Sequence, residues 1–350
     1  MSEDANNPPA EDPEFDVVAR YHEILASDPD LTMPVAAIEA LIEAITANTQ
    51  VTTVAETMEL LEEYTGKLKA SVPNHISLSA GTDLFQRYLV HTLTRTSIMN
   101  GSFTAIRNHL LSSGRLFVAN AKASREKIAE YYKHLLKDGV TILTNGGSRV
   151  VSALLRKAAE STLRFQVIYV LSPAESADSR EGHSTVADLR AHGVPVATIP
   201  DSAVAYCLEK VNMVIVGAEG VVENGGIISR LGTYQMGLLA KSKEKPFYVV
   251  TESHKFVRLF PLGQFDLPIK QNVLEFKAGD DAQETTEAGR TTEDRGATDI
   301  NPNPTSWKCS GLNPHDAVDY TPPRLISGII TESGVMTPSA VSEELIKIWF

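Results

Sequence analysis

From residue 139 onward, the chain alternates between short apolar runs rich in β-branched residues and segments with helical periodicity. Each run has the length of a strand that is buried on both faces of a sheet, and one helical segment follows it. Strands that alternate with single helices predict a parallel, doubly wound sheet with right-handed crossovers. The predicted strands lie at 140–144, 165–171, 194–199, 213–217 and 246–251.

The pattern before residue 139 is different, because its apolar period is helical throughout. Residues 14–138 carry six apolar stripes with this spacing, which predicts a helical domain that packs on itself. The predicted fold class is therefore α/β, with an amino-terminal all-helical domain followed by a Rossmann-like, mostly parallel sheet domain over 139–350. Near the end of the chain we expect a turn at 319–323, a last buried strand and a closing helix over 342–349.

Two segments lack the apolar residues that a packed core requires. Residues 1–13 are acidic and proline-rich, and residues from about 277 to 304 are charged and rich in threonine. The first segment is predicted to be a disordered tail. The second is predicted to be a disordered insertion within the sheet domain.

The charge balance and the cysteines limit the compartment and the partners. With 32 basic and 44 acidic residues, the formal charge is -12, which argues against nucleic acid or a membrane surface as the main partner. Cys207 and Cys309 form no disulfide framework and no metal-ligand spacing, so we expect no metal. No signal peptide or membrane-spanning run is evident, and the expected location is the cytosol.

The stretch Met213–Thr233 holds five glycines between an apolar strand and a helix. Loops between the carboxyl end of a strand and the amino end of a helix are common ligand sites in α/β proteins, and phosphate is favoured there by free N–H groups and by the helix dipole. The other interpretation is a tight turn whose glycines serve backbone geometry only. The composition of the stretch does not separate these two interpretations.

Four motifs stand out in the sheet domain: Gly217–Ile228, Lys245–Val250, Glu252–Pro261 and Thr337–Ser342. Together they closely resemble the alpha-subunit family of eukaryotic translation initiation factor 2B. The resemblance implies a non-catalytic regulatory subunit of the guanine-nucleotide exchange factor for initiation factor 2, with the exchange chemistry on another subunit. It also implies a homodimer that bridges the complex, with the beta, delta, gamma and epsilon subunits as partners.

The resemblance further implies that the helical domain helps recognise the phosphorylated alpha subunit of initiation factor 2 during stress. Phosphoserine is bound by arginine, lysine or backbone donors. Four arginines of this domain could reach a neighbouring phosphate, but solvated helix faces are the expected role for most of them: Arg95, Arg107, Arg115 and Arg125. The apolar cluster of Phe256, Leu259 and Phe260 is either core or dimer interface, and we favour interface.

The wider family includes sugar-phosphate isomerases, which are similar in carrying a cysteine in a Thr-x-Cys-Asn-Thr loop and an aspartate in a Gly-Ala-Asp motif. Isomerisation needs a thiol and a carboxylate at fixed reach on either side of the sugar. In this chain the first loop leaves Gly146 at the thiol position, and the second motif carries Glu219 instead of aspartate. The prediction is that this chain has no catalytic residues. The alternative is an isomerase with an altered acid/base set.

Groups that would bind a substrate are retained even though the catalytic pair is not. A site that keeps such groups is predicted to bind a sugar phosphate as a structural or regulatory ligand, with no other cofactor. The predicted ligand-binding residues are Asn145, Gly146, Gly147, Ser148, Arg149, Glu219, Asn224, Gly225, Gly226, Arg230 and Lys255.

Overall fold

We describe the fold from a computed structural model of the 350-residue chain. The structure describes residues 15–28, 31–48, 52–97, 103–161, 163–171, 182–271, 273–274 and 317–349. The predicted tail at 1–13, the predicted insertion at 277–304 and Cys309 lie outside these residues.

Helices occupy the described part of the chain before the first strand. Asp16 accepts hydrogen bonds from the N–H groups of Val18 and Ala19 and so begins the first helix. Thr53 and Glu56 form a capping box that begins the third. The helices are α1 (Val17–Ser27), α2 (Met33–Ala47), α3 (Val54–Ser71), α4 (Ile76–Ser97) and α5 (Phe103–Tyr132).

Helix α2 is the centre of this helical region, because its apolar residues are buried on nearly every side. Helices that are apolar all round belong in a core. The last two of the six predicted apolar stripes lie on the single helix α5. Residues 117–127 between them contain no proline or glycine that would end a helix.

In the rest of the described chain, a seven-stranded sheet has the order β11-β10-β7-β4-β1-β2-β3. Its neighbouring strands are parallel except for β10 and β11. The strands are β1 (Thr141–Asn145), β2 (Gln166–Val170), β3 (Val196–Ile199), β4 (Met213–Gly217), β7 (Phe247–Val250), β10 (Gly328–Thr331) and β11 (Gly334–Met336). The α/β class, the helical amino-terminal region and the mostly parallel sheet are therefore confirmed.

Helices cover both faces of this sheet. On one face, Ile142 shares a core with residues of α6 (Arg149–Ala159) and α7 (His183–Ala191), and with Ile128 of α5. On the other face, Leu143 shares a core with residues of the remaining helices. Those helices are α8 (Val204–Cys207), α9 (Thr233–Ser242) and α10 (Val341–Trp349). Successive strand residues alternate between the two cores, as a sheet buried on both sides requires.

A four-stranded second sheet, with the order β8-β5-β6-β9, was not predicted. Its strands are β5 (Gly220–Val222), β6 (Ile227–Arg230), β8 (Phe256–Val257) and β9 (Val318–Thr321). The glycine-rich stretch was expected to be a loop, but β5 and β6 make it an antiparallel hairpin. The turn expected at 319–323 was also wrong in its first part, because β9 pairs with β6 there.

The second sheet joins the helical region to the main sheet. Ile76 and Ala80 of α4 pack against apolar residues of the second sheet, including Val222 and Ile228. This contact places the start of α4 beside the carboxyl ends of the main strands. No described helix is long and apolar enough to cross a membrane.

Candidate functional site

The strand order defines a crevice between β1 and β4. From β1 the chain proceeds outward to β2 and β3, and it then returns to the other side of β1 as β4. In open α/β sheets, ligands bind at this switch point, outside the carboxyl ends of the strands. Here those ends are Asn145–Ser148 and Gly217–Glu219, which are the two segments singled out from the sequence.

At the crevice, β4 and the start of α6 approach very closely. A Cβ atom on Gly217 would lie 2.1 Å from Ser148 Oγ. Ser148 is the N-cap of α6, and its Oγ accepts a hydrogen bond from the N–H of Val151. Glycine at 217 thus allows β4 to approach α6 closely, and Ser148 caps the start of α6.

Gly146, at the expected thiol position, has a left-handed backbone with φ 68°. Its carbonyl accepts a hydrogen bond from the hydroxyl of Tyr169. A Cβ atom here would lie 3.3 Å from Arg230 Cγ, so Arg230 lies against the place that a side chain would take. The neighbouring Asn145 donates to Thr233 Oγ1 at 3.0 Å.

Glu219, at the expected carboxylate position, is held from two sides. Its Oε2 accepts from Asn74 Nδ2 at 2.5 Å, and its Oε1 lies 3.7 Å from Arg230 Nε. Asn74 precedes α4, so this carboxylate links the helical region to the second sheet. Both of its oxygens are engaged with protein groups, which makes it a poor general base.

The turn Asn224–Gly226 was expected to hold a phosphate, and its geometry points instead to the tight-turn interpretation. Asn224 Nδ2 donates to the carbonyl of Pro261 and to the hydroxyl of Tyr320, and its Oδ1 accepts from the N–H of Gly226. None of the three turn residues lines either of the two cavities described below. The turn closes the β5–β6 hairpin.

Lys255 pairs with a buried carboxylate. Its Nζ lies 3.1 Å from Glu252 Oε2, and Arg125 Nε lies 3.8 Å from Glu252 Oε1. Burial by itself would raise the pKa of Glu252, but the charges of Lys255, His254 and Arg125 outweigh burial and lower it to about 2. Arg125 is mostly buried in this cluster and is not on a solvated helix face.

A cavity of about 660 Å³ lies between the helical region and the main sheet. We call it the helix-end cavity, because residues at the amino ends of three helices line it. They are Leu31 and Thr32 at α2, Gly147 and Arg149 at α6, and Gly182, Ser184 and Thr185 at α7. Helix amino ends carry unpaired N–H groups and a positive partial charge. Three of them around one cavity favour an anion.

Side chains of both signs line the helix-end cavity. The basic ones are Lys122, Arg125, Arg149 and Arg156, and the acidic ones are Asp28, Glu126, Asp188 and Glu252. These formal charges are equal in number, and the partial charges of the three helix ends add a positive contribution. Thr32 Oγ1 is buried and has no hydrogen-bond partner among the described residues, although threonine at an N-cap usually bonds its own helix.

A second cavity, of about 940 Å³, lies beyond the carboxyl ends of β1 and β2. We call it the carboxylate cavity, because the carboxylates of Asp201 and Asp319 line it together with apolar side chains. Asn145, Gly146 and Arg230 also line this cavity. The loop after β1 therefore separates the two cavities, with Gly146 on one side and Gly147 on the other.

The structure thus divides the predicted ligand-binding residues. Gly147 and Arg149 line the helix-end cavity, and Asn145, Gly146 and Arg230 line the carboxylate cavity. Ser148, Glu219 and Lys255 are structural neighbours of these cavities, while Asn224, Gly225 and Gly226 form the hairpin turn. No group of three or more metal-ligating side chains occurs within the described part of the chain.

A model of the initiation factor 2 subunit family matches residues 26–338, which is most of the chain. The chain belongs to this family. Among its relatives, the translation initiation factor eIF2B subunit alpha of Dictyostelium discoideum is 37% identical over 96% of this chain and 98% of that protein. The subunit alpha of Caenorhabditis elegans is 31% identical over 95% and 98%. Similarity of this extent supports a regulatory role in translation initiation.

The chain is also similar to a protein that is named as an enzyme. Ribose 1,5-bisphosphate isomerase of Archaeoglobus fulgidus is 36% identical over 150 residues, which are 43% of this chain and 47% of that protein. Sequence similarity alone therefore does not distinguish a regulatory subunit from an isomerase. The residues at the site must decide between these two functions.

Solved structures agree on the fold of the family. The tetrameric eIF2B-beta2-delta2 complex from C. thermophilum matches with a TM-score of 0.68 at 19% identity, over 95% of this chain and 94% of that one. The translation initiation factor eIF-2B of Pyrococcus horikoshii OT3 matches with a TM-score of 0.63 at 20% identity, over 92% and 97%.

Several site residues of this family member were missed by the sequence analysis. Thr32 lies in the helical region and Thr185 in α7, far from the glycine-rich stretch. The one available signal was the Thr32-Met-Pro34 helix start, because proline in the first turn marks an amino end. Its meeting with the ends of α6 and α7 depends on the tertiary fold.

Proposed function

We propose that this chain is a non-catalytic regulatory subunit of the guanine-nucleotide exchange factor for translation initiation factor 2, acting in the cytosol. The observation that carries this proposal concerns positions 146 and 219, which match the thiol and the carboxylate of the isomerases. Gly146 supplies no thiol, and Glu219 is held by Asn74 and Arg230. The full-length similarity to alpha subunits supports the same conclusion.

In this proposal the chain forms a homodimer that bridges the complex of beta, delta, gamma and epsilon subunits. The predicted interface cluster needs one correction, because Phe256 is core at 1% exposed. Phe260, Leu262 and Phe265 after it are 62%, 83% and 90% exposed. Adjacent large apolar side chains of this kind are commonly covered by a partner, which supports a dimer through the sheet region.

Sedimentation tests the dimer. We expect the isolated chain to sediment as a dimer and the double variant Phe260→Ser, Phe265→Ser to sediment as a monomer, because the apolar contact area is lost. Tyr131→Ser removes an equally exposed aromatic from α5 and is expected to leave the dimer intact. A monomeric wild-type chain, or loss of the dimer in both variants, would contradict the assignment.

The helical region is proposed to help sense the phosphorylated alpha subunit of initiation factor 2, as part of the integrated stress response. Exchange complexes assembled with and without this chain should then differ. Phosphorylation of the partner is expected to slow nucleotide exchange only when the chain is present. Equal inhibition of both complexes would rule out this role.

The competing function is a sugar-phosphate isomerase with altered catalytic residues, which the partial similarity to ribose 1,5-bisphosphate isomerase favours. We expect no turnover of ribose 1,5-bisphosphate or methylthioribose 1-phosphate. Turnover that Glu219→Gln abolishes would establish the enzyme instead.

The proposal includes a sugar phosphate as a regulatory ligand, with its phosphate in the helix-end cavity. The support is the convergence of three helix amino ends and the unpartnered hydroxyl of Thr32. Arg149 begins α6 and lines this cavity, so its guanidinium is the candidate for a charge-assisted bond to the phosphate.

Titration calorimetry with a panel of sugar phosphates tests this site. Arg149→Ala is expected to weaken binding by about tenfold to a hundredfold, the effect of losing a hydrogen bond to a charged group. Arg164→Ala, which removes an exposed arginine outside both cavities, is the matched control. Absence of binding at millimolar ligand, or equal weakening in both variants, would refute the phosphate site.

A further inference from the structure

The carboxylate cavity is not explained by the proposed function. It lies on the other side of the β1–α6 loop from the helix-end cavity. Among the described α-helices of eight or more residues, only α9 has its amino end at this cavity. Its wall is largely apolar, with Leu171, Leu231, Phe265, Leu267 and Ile269. A cavity of about 940 Å³ with such walls is within the size range of small-molecule sites.

Asp319 is the most unusual group in this wall. Its Oδ2 accepts from the N–H groups of Gly232 at 2.7 Å and Tyr234 at 3.0 Å, which fixes the side chain at the start of α9. Its Oδ1 has no hydrogen-bond partner among the described residues, although Asp319 is only 5% exposed. A buried carboxylate oxygen without a partner is costly, and a hydrogen-bond donor placed beside it would remove that cost.

Asp201 brings a second carboxylate to the same place. A Cβ atom on Gly232 would lie 3.4 Å from Asp201 Oδ1, so the two carboxylates flank Gly232. Burial raises the pKa of both aspartates. For Asp319 the pKa reaches about 7, although the hydrogen bonds from its backbone donors act to lower it. Among the described residues, neither carboxylate forms an ion pair with a basic side chain, and Asp319 is stabilised by backbone donors alone.

Among the described residues of this wall, Arg230 is the only basic one, and its charge is already opposed by Glu219 at 3.7 Å. The remaining side-chain charge of the described wall is therefore negative. A phosphate or carboxylate ligand would be repelled there, and a neutral apolar ligand would leave Asp319 Oδ1 without a donor. The cavity thus favours a ligand that carries positive charge and donates a hydrogen bond to Asp319 Oδ1. An ammonium group does both.

We propose that the carboxylate cavity binds a small organic cation, consisting of an ammonium group attached to an apolar body. The ammonium donates a hydrogen bond to Asp319 Oδ1 and lies between Asp319 and Asp201. The apolar body packs on Leu171, Leu231 and Leu267. This site is separate from the phosphate site, because the loop at Gly146–Gly147 lies between them.

Calorimetry on the full chain with two isosteric probes tests the proposal. Phenethylamine is expected to bind saturably, with one site per chain. 2-Phenylethanol has the same apolar body without the charge, and it is expected to bind about tenfold or more weakly, as for loss of one charge-assisted bond. Equal binding of amine and alcohol, or no saturable binding of the amine, would overturn the proposal.

Variants locate the site. Asp319→Asn keeps an oxygen for the N–H groups of Gly232 and Tyr234, and it is expected to weaken phenethylamine binding by about tenfold. Glu343→Gln, which removes an exposed carboxylate from α10, should leave the affinity unchanged. If Asp319→Asn does not fold, Asp201→Asn must show the loss instead. Unchanged phenethylamine affinity in folded Asp319→Asn and Asp201→Asn chains would refute the assignment. Unchanged sugar-phosphate binding in the same variants would support two separate sites.

Discussion

Replacing Gly225 with alanine is expected to lower the free energy of unfolding by about 2 to 5 kcal/mol, the sum of a left-handed backbone and an overpacked site. Gly225 has φ 82° in the turn between β5 and β6. A Cβ atom there would lie 2.1 Å from the carbonyl oxygen of Pro338 and 2.6 Å from its carbon. These are backbone atoms of Pro338 itself, so they cannot move aside as the end of a flexible side chain can.

Gly193→Ala is the matched control for this substitution. Gly193 has a similar φ of 78°, and nothing lies within 4 Å of a Cβ atom built on it. Its replacement isolates the backbone effect, which is about 1 to 2 kcal/mol. Urea denaturation of the two variants measures the difference, and equal losses would show that the hairpin turn does not press on Pro338.

Replacing Glu252 with alanine is expected to lower the free energy of unfolding by about 3 to 5 kcal/mol, because the removal of one partner leaves buried charges uncompensated. Glu252 is fully buried, with Lys255 Nζ at 3.1 Å and Arg125 Nε at 3.8 Å. The network connects α5 to the segment after β7, so its loss also loosens the contact between the helical region and the main sheet.

The effect of Glu252 should depend on pH in a defined direction. Its pKa is about 2 in the folded chain and 4.5 in the reference state. A depressed pKa means that the carboxylate contributes stability above pH 4.5, and that this contribution is lost as the pH falls from 4.5 towards 2. The difference between wild type and Glu252→Ala in urea denaturation should therefore be full at pH 7 and smaller at pH 3.

Glu160→Gln provides the control for these measurements. Glu160 pairs with Lys157 on an exposed helix surface, where solvent screens the interaction. We expect no measurable change in its denaturation midpoint at either pH. A pH-independent loss in Glu252→Ala, or an equal loss in Glu160→Gln, would mean that the buried charges are not the cause.

The strand and helix order could be predicted because it depends on local patterns. Ile142 and Leu143 point to opposite cores and are both buried, so a continuous apolar run indicated a central strand. The second sheet was missed because β5 and β8 are only three and two residues long. Pairing over such short segments is decided by neighbours distant in the chain, such as Tyr320 opposite Ile228.

The candidate site could be predicted only in part for the same reason. Gly146 and Glu219 were identified from their motifs, and the structure places them at the switch point. Asn224–Gly226 carries a sequence that suits a phosphate cradle equally well, but the bonds from Asn224 to Pro261 and Tyr320 make it a turn. A glycine-rich sequence specifies backbone freedom and does not specify what the backbone contacts.

The sequence by itself determined the α/β class, the family and the absence of a thiol at position 146, because each depends on residues that are neighbours along the chain. Only the tertiary structure decided which groups meet. It brings the helix starts at Thr32, Arg149 and Gly182 to one cavity, and Asp201 and Asp319 to another. The physical reason is that packing and hydrogen bonding join segments that are far apart in the chain. Local periodicity carries no information about which of these segments come together.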